Sequence, residues 1–405
     1  MNKEQIANRL KAVRRVLDKK KIRCLIITKP ANVTYATGFL GDDSWAVIAG
    51  PPCQRRCGRH VAAGGRVYLM TDSRYTEQAE KECPSCKIID RAGPMAEAVA
   101  KLLGKLKPAV PATVRQARRG RSIRTVAVEE STSLGDFERL KKTIKARLRT
   151  AANVIESVRS VKDASEIATI RTAASISSQA LQRTLPYIKP GVTESELAGM
   201  LDFQIRKLGA RNSFETIVAF GPNASPPPPQ PGKRKLRNKD SVLIDFGARY
   251  NGYCSDITRC FVVGGMTPFY KKVYDVVEQA QAAAIKMIKP GVKITQVDAA
   301  ARDVIARSDL PVYGHGTGHG FGIEIHESPF LKTDAKGTLK AGQVITIEPG
   351  IYMPGKLGVR IEDDILVTET GYKILTCQCP HLPRRACRTV AGTAGRTEIK
   401  RGVTR

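Results

Sequence analysis

The chain has 405 residues, a formal net charge of +29 and ten cysteines. That length holds two domains with proper cores, and the cysteines are too dilute for a disulfide scaffold. No apolar run approaches the roughly 20 residues that span a bilayer, and the N-terminus lacks the pattern of a secretory signal, so a cytoplasmic protein without membrane contact is expected.

Ile6, Leu10, Val13 and Leu17 recur at helical spacing and predict an N-terminal helix. Strands follow at CLIIT, SWAVIAG and RVYLMTDSRY, then a helix at YTEQAEKE and a strand at CKIID. A helix from Met95, a strand at TVAVEES and a helix at DFERLKKTIKARL complete the alternation, which predicts an α/β domain over residues 1–150. A long helix with Ile167, Ile170, Ala173 and Ile176 on one face then opens a second domain over 155–376. Helices are predicted there at SELAGMLDFQIRKLG, FYKKVYDVVEQAQAAAIKMI and ITQVDAAARDVIA. The strands between and after them carry most of the unusual polar residues.

The positive charge is unevenly placed. Residues 51–66, 108–124 and 379–405 are rich in Arg and small residues, nearly free of acids, and without amphipathic period. They read as solvated loops and, over 380–405, as a basic disordered tail, so nucleic acid is not expected as a partner. Cys53-x3-Cys57 and Cys83-x2-Cys86 have the makings of a four-thiolate zinc site. The first pair lies in an Arg-rich stretch, however, and no turn signature frames either. Cys254 and Cys260 flank a strand core and read as packed thiols.

In SVLIDFGARYNGYCSDITRCFVVG two β-rich runs flank Asn251-Gly252, a two-residue hairpin turn. Pairing about that turn sets Asp245 opposite Thr258 and Asp256 opposite Gly247. Both aspartates then share one face as diagonal neighbours, about 7–8 Å apart. Two carboxylates on an apolar-flanked face repel each other unless a cation lies between them. GQVITIEPGIYMPGKLGVRIEDDILVTETG repeats the design about Pro354-Gly355 and sets Glu348 against Glu362.

Between the hairpins lies GHGTGHGFGIEIHE, with three of the five histidines and glycines that let the backbone approach something closely. His319 completes a set of four carboxylates and one imidazole. Such an oxygen-rich set favours Mn²⁺, Co²⁺ or Zn²⁺ in a two-metal centre over a structural zinc. A pair of cations about 3.5–4 Å apart shares a water and lowers its pKa. His315 and His326 remain to hydrogen-bond substrate or a tetrahedral intermediate.

The order Asp, Asp, His, Glu, Glu in IDFGARYNGYCSDITR, GTGHGFGIEIHE, TIEPGIY and VRIEDD resembles the pita-bread metallopeptidases, specifically their aminopeptidase P and prolidase branch. The resemblance covers nearly all of 155–376, and residues 1–150 are similar to the creatinase-type N-terminal domain of that branch. It implies an α/β (α+β) fold with a C-terminal pita-bread catalytic domain, two divalent metal ions with Mn²⁺ foremost, and a homodimer. The implied reaction is hydrolysis of the bond between an N-terminal residue and proline, as an Xaa-Pro aminopeptidase or an Xaa-Pro dipeptidase. Proline-containing peptides or dipeptides would be the substrates. Asp245 would chelate one ion, Asp256 and Glu362 would bridge both, and His319 and Glu348 would complete the other. His315 and His326 would line the substrate pocket and steady the peptide carbonyl. The competing reading is a non-catalytic pita-bread module that binds RNA or protein. Such modules typically lose metal ligands, whereas all five are kept here.

In this family the stretch before the first metal strand usually reads PNAxxPHHxPG, and its first histidine belongs to the active site. Here PNASPPPPQPG keeps Asn223, Ala224 and Gln230-Pro231-Gly232, while Pro228 and Pro229 occupy the histidine positions. The resemblance therefore implies a site wall that has lost a polar group, with slower catalysis and intact metal binding.

Overall fold

The computed structural model describes residues 3–49, 66–106, 123, 125–225, 230–376 and 378–380. Pro226 to Pro229, Cys53 and Cys57, nearly all of the Arg-rich stretches and the tail from residue 381 lie outside the described residues. So does the four-thiolate reading that needed Cys53 and Cys57. Two compact units divide the chain, Met1–Ser165 and Glu166–Arg405.

The first unit is built on one six-stranded sheet. Its strands lie in the order Lys87–Asp90, Arg66–Thr71, Trp45–Ala49, Cys24–Ile27, Thr125–Glu129 and Arg147–Ala151. Cys24–Ile27 runs antiparallel to Trp45–Ala49 and parallel to Thr125–Glu129. It is buried along its whole length, which is why it reads as an unbroken apolar run. The helix Lys3–Lys19 buries the expected Ile6, Leu10, Val13 and Leu17. One expectation fails. The helix predicted through Leu148 stops at Thr143, and Arg147–Ala151 pairs in parallel with Thr125–Glu129 at the sheet edge. Its Arg and Leu residues suit a helix locally; backbone pairing with a neighbour far away in sequence overrides that preference.

In the second unit the helices Ala164–Thr184, Glu194–Lys207, Pro268–Lys286 and Ile294–Ala306 pack around antiparallel strands. The strand Ser241–Phe246 is buried throughout. Leu243 joins a core with Val273, Val277, Ile345 and Ile365, while Val242, Ile244 and Phe246 join a second with Leu201 and Phe220. Asp245 thus sits in a strand covered on both sides.

Asn251 and Gly252 have φ of 46° and 86°, the left-handed pair that a tight hairpin turn demands. The register is the expected one, with Tyr250 opposite Tyr253 and Asp245 opposite Thr258. The hairpin is not flat, however. It breaks at Gly247 and at Ser255-Asp256, so Ala248–Tyr250 and Tyr253–Cys254 join one three-stranded sheet while Ser241–Phe246 and Ile257–Val262 join another. A Cβ on Gly247 would lie 1.9 Å from the Ser255 carbonyl oxygen, so the bend requires glycine.

The second hairpin bends in the same way. Gly350–Met353 pairs with Leu357–Arg360 in a two-stranded sheet, and Val344–Ile347 pairs with Asp363–Val367 inside a five-stranded one. One register about Gly355 runs through both parts, with Gly350 opposite Arg360 and Ile347 opposite Asp363. Glu348 and Glu362 fall in the gap between them.

Candidate metal centre

Asp256, Glu348 and Glu362 all occupy the breaks where the hairpins change sheets, so their side chains leave the ladder at neighbouring points. The Glu362 N–H donates to the Thr258 carbonyl at 3.2 Å and ties one hairpin to the other. His319 lies on the short strand Gly318–Gly320. A Cβ on Gly318 would stand 2.0 Å from the Thr346 carbonyl oxygen. The glycine run thus serves, at this position, a close approach between strands.

Five predicted residues converge. His319 Nε2 stands 3.6 Å from Asp256 Oδ2 and 3.4 Å from Glu348 Oε1. Donor atoms of Asp256, His319 and Glu362 all fall within 4.8 Å of one another. Asp245 is tied to this group through Arg360, which ion-pairs with it and donates to Thr258 Oγ1, itself bonded to Glu362 Oε2. His319 Nδ1 meets the Gly320 carbonyl at 3.1 Å. A carbonyl only accepts, so Nδ1 carries the proton and the Nε2 lone pair points at the two carboxylates.

Acceptors therefore face acceptors. Burial, then Glu362, Asp245, Glu348 and Asp364, hold the Asp256 carboxyl well above its ordinary range. Burial, then Glu348 and Asp245, do the same to Glu362, with Arg360 acting against them. Asp245 and Glu348 are raised as well, mainly by burial, and burial lowers His319. Asp245 Oδ1 is buried without a hydrogen-bond partner. Oxygen and imidazole donors in this arrangement fit divalent metal ions.

Around these residues runs a network that sequence reading missed. Arg360 ion-pairs with Asp245 through Nη2, donates from Nε to Thr258 Oγ1 at 3.0 Å and from Nη1 to the Tyr352 hydroxyl at 3.0 Å. Thr258 in turn donates to Glu362 Oε2 at 2.6 Å. The signal was available, because Arg360 shares a strand face with Glu362 by simple alternation and Thr258 faces Asp245 by register. Tyr352 reaches His315 Nε2 at 3.0 Å, and His315 Nδ1 meets the Gly316 carbonyl at 2.7 Å. By the same logic Nδ1 carries the proton and Nε2 accepts from the tyrosine. Burial lowers the His315 pKa. His326 is exposed, its ring set edge-on to His319 with centroids 4.5 Å apart. A cleft of about 610 Å³ opens here, lined by His315, His319, His326, Phe330, Glu348 and Arg360 among others.

The described residues on either side of Pro226 to Pro229 are held by one carboxylate. Glu194, wholly buried, accepts from Phe220 N at 2.8 Å, Asn223 Nδ2 at 3.0 Å and Gly232 N at 3.0 Å. Its place in the first turn of a helix reads from sequence as ordinary helix-start chemistry, which conceals the role.

Residues 168–369 match metallopeptidase family M24, and residues 9–161 match the creatinase/prolidase N-terminal domain. The chain is 36% identical over 372 residues to the uncharacterized peptidase YqhT of Bacillus subtilis (strain 168), covering 91% of this chain and 97% of that protein. It is similar to the solved structure of an Xaa-Pro dipeptidase from Bacillus anthracis, with a TM-score of 0.80, 33% identity, and 92% of this chain and 97% of that one covered. An X-Pro aminopeptidase from Thermotoga maritima MSB8 gives a TM-score of 0.75 at 33% identity, over 89% and 97% of the two chains. The chain belongs to metallopeptidase family M24. It is a hydrolase with a creatinase-type N-terminal domain and a C-terminal pita-bread domain. Among the described residues no helix is long and apolar enough to cross a membrane.

Proposed function

We propose that the protein is a metal-dependent Xaa-Pro peptidase, acting as an aminopeptidase or a dipeptidase on peptides with proline in second position. The observation that carries this reading is the set of mutually repelling acceptors at Asp256, His319, Glu348 and Glu362, with the orphaned Asp245 Oδ1 beside them. It is joined by likeness to proteins described as Xaa-Pro dipeptidase, prolidase and X-Pro aminopeptidase. Asp245, Asp256, His319, Glu348 and Glu362 hold two divalent cations, Mn²⁺ by preference. When bound, such ions supply Lewis-acid polarisation of a carbonyl and a lowered pKa for water.

The chain's own residues do the positioning. The Nδ1–H of His319 keeps its Nε2 lone pair on the ion side. Arg360, through Thr258, fixes Glu362 Oε2 while pinning Asp245 directly. Burial lowers the His315 pKa at the cleft, and Tyr352 holds its Nε2 at 3.0 Å. His326, exposed in the cleft, donates in this reading to the carbonyl oxygen of the scissile bond. The bond attacked is a tertiary amide with no N–H, so recognition rests on the shape of the proline ring. Pro228 and Pro229, standing where the family has histidines, make turnover slower than in histidine-bearing relatives. A homodimer and a cytoplasmic location belong to the same reading.

The test is metal content after purification, followed by hydrolysis of an Xaa-Pro dipeptide and an Xaa-Pro-containing tripeptide with added Mn²⁺. Cleavage of either before proline, abolished by a chelator, is expected. Equal cleavage of matched peptides that lack proline would overturn the specificity. Absence of bound or bindable divalent metal would overturn the site.

A further inference from the structure

Cys83 and Cys86 lie far along the chain from the metal-site residues and take no part in that chemistry. The helix Thr76–Glu82 ends at Cys83, and Pro84-Ser85 turn the chain so that Cys86 N–H donates to the Cys83 carbonyl at 2.9 Å. A turn closed this way holds its first and fourth Cα within about 7 Å, and a disulfide needs about 4.4–6.8 Å. Cys86 leads into the edge strand Lys87–Asp90 and is partly exposed, whereas Cys83 is buried.

The two thiols are also matched to each other. The pull of each thiol on the other, more than burial, raises the Cys83 pKa and lowers that of Cys86. Cys86 thereby differs from the cysteines elsewhere among the described residues. Burial pushes Cys24 up to about 12 and Cys254, Cys260 and Cys379 up to about 11, which leaves them inert.

We propose that Cys83 and Cys86 form a reversible dithiol–disulfide pair that reacts with low-molecular-weight disulfides such as oxidised glutathione. The Cys86 thiolate attacks one glutathione sulfur, forms a mixed disulfide and releases one glutathione thiolate. Cys83 then gives its proton to solvent, and its sulfur attacks the Cys86 sulfur and expels the second glutathione thiolate. Two electrons pass from the cysteine pair to glutathione disulfide, which leaves as two reduced molecules. A loop this short constrains the unfolded chain little, so the bond acts as a reversible mark and not as a structural staple.

The experiment treats the full folded chain with oxidised glutathione, alkylates the remaining thiols under denaturing conditions and maps the peptides. The segment holding Cys83 and Cys86 should lose both alkylation sites and two hydrogens, and dithiothreitol should restore both. Cys254 and Cys260 should stay alkylatable. Cys83→Ser should stop at a glutathione adduct on Cys86, and Cys86→Ser should abolish the reaction at this turn. Full alkylation of both residues in the treated parent protein overturns the proposal. So does a bridge from either residue to Cys53 or Cys57, or stoichiometric co-purified zinc that shields both thiols. The map of the parent protein decides the matter even where a variant fails to fold.

Discussion

Each unit of this protein buries a cluster of polar side chains, and the two clusters are built on opposite principles. In the first unit Glu129 accepts from the backbone N–H of Thr28 at 2.8 Å and of Lys29 at 2.9 Å through one oxygen, and from Asn32 at 2.7 Å through the other. Asn32 also donates to Glu156 and accepts from Arg159, both at 2.6 Å. Each acceptor named there meets a donor, and the result fixes the start of the helix Pro30–Thr37. In the second unit Asp245, Asp256, Glu348 and Glu362 crowd together with His319, and Arg360 is the cation that pairs with them. Asp245 Oδ1 has no partner. A buried polar cluster that satisfies itself holds a fold together, whereas one that leaves negative charge unanswered is a site for something that brings positive charge.

The strongest way to break that contrast is to remove one carboxylate from each hairpin. The Asp256→Ala, Glu362→Ala double variant should lose the proposed pair of cations and all turnover, checked by elemental analysis and peptide hydrolysis. Stoichiometric metal in that variant would show that the unanswered charge serves another purpose. Next in size is the wall. Restoring a donor by Pro228→His, with Pro229 relaxed if needed, should raise kcat/KM on an Xaa-Pro peptide on the order of 10²–10³-fold at matched metal occupancy. A parent enzyme unaffected by the change would place the wall outside the chemistry.

Metal removal sharpens the contrast through pH. Asp256 and Glu362 carry pKa values raised well above the ordinary carboxylate range, by burial first and by neighbouring carboxylates second. A raised folded-state pKa contributes stability below the unfolded value, near 4, and that contribution is lost as pH rises through the folded value. The chelated protein should therefore melt lower at about pH 8 than at about pH 5, and saturating Mn²⁺ should remove most of the difference. A chelated protein with a flat profile would mean that the carboxylates are better solvated than their burial implies.

Smaller effects belong to the self-satisfied side. Glu194→Ala strands the donors Phe220 N, Asn223 Nδ2 and Gly232 N, at about 1–3 kcal/mol for each one left unpaired. It should lower the urea midpoint and raise KM while metal content holds. Glu129→Ala should cost a similar amount per stranded donor yet leave metal content and kcat unchanged. Lost metal in the Glu129 variant would dissolve the distinction between the two clusters.

Sequence alone determined the register of both hairpins and the ligand candidates, because those depend on short-range facts. Asn251-Gly252 needs two left-handed residues, Gly355 fixes the second turn, and strand alternation then decides which acids face which. The apolar faces of the long helices are legible for the same reason, as at Ile6, Leu10, Val13 and Leu17. Tertiary structure decided the rest. Both hairpins bend at their acid positions, and the bend at Gly247 depends on how closely Ser255 approaches it within the folded sheets. Arg147–Ala151 became a strand only by pairing with Thr125–Glu129. Arg360 meets Asp245 across 115 residues of chain, and Glu194 meets Gly232 across 38. Contacts at such separations carry no period or spacing in the sequence, because they are set by packing that exists only once the sheets have closed on one another.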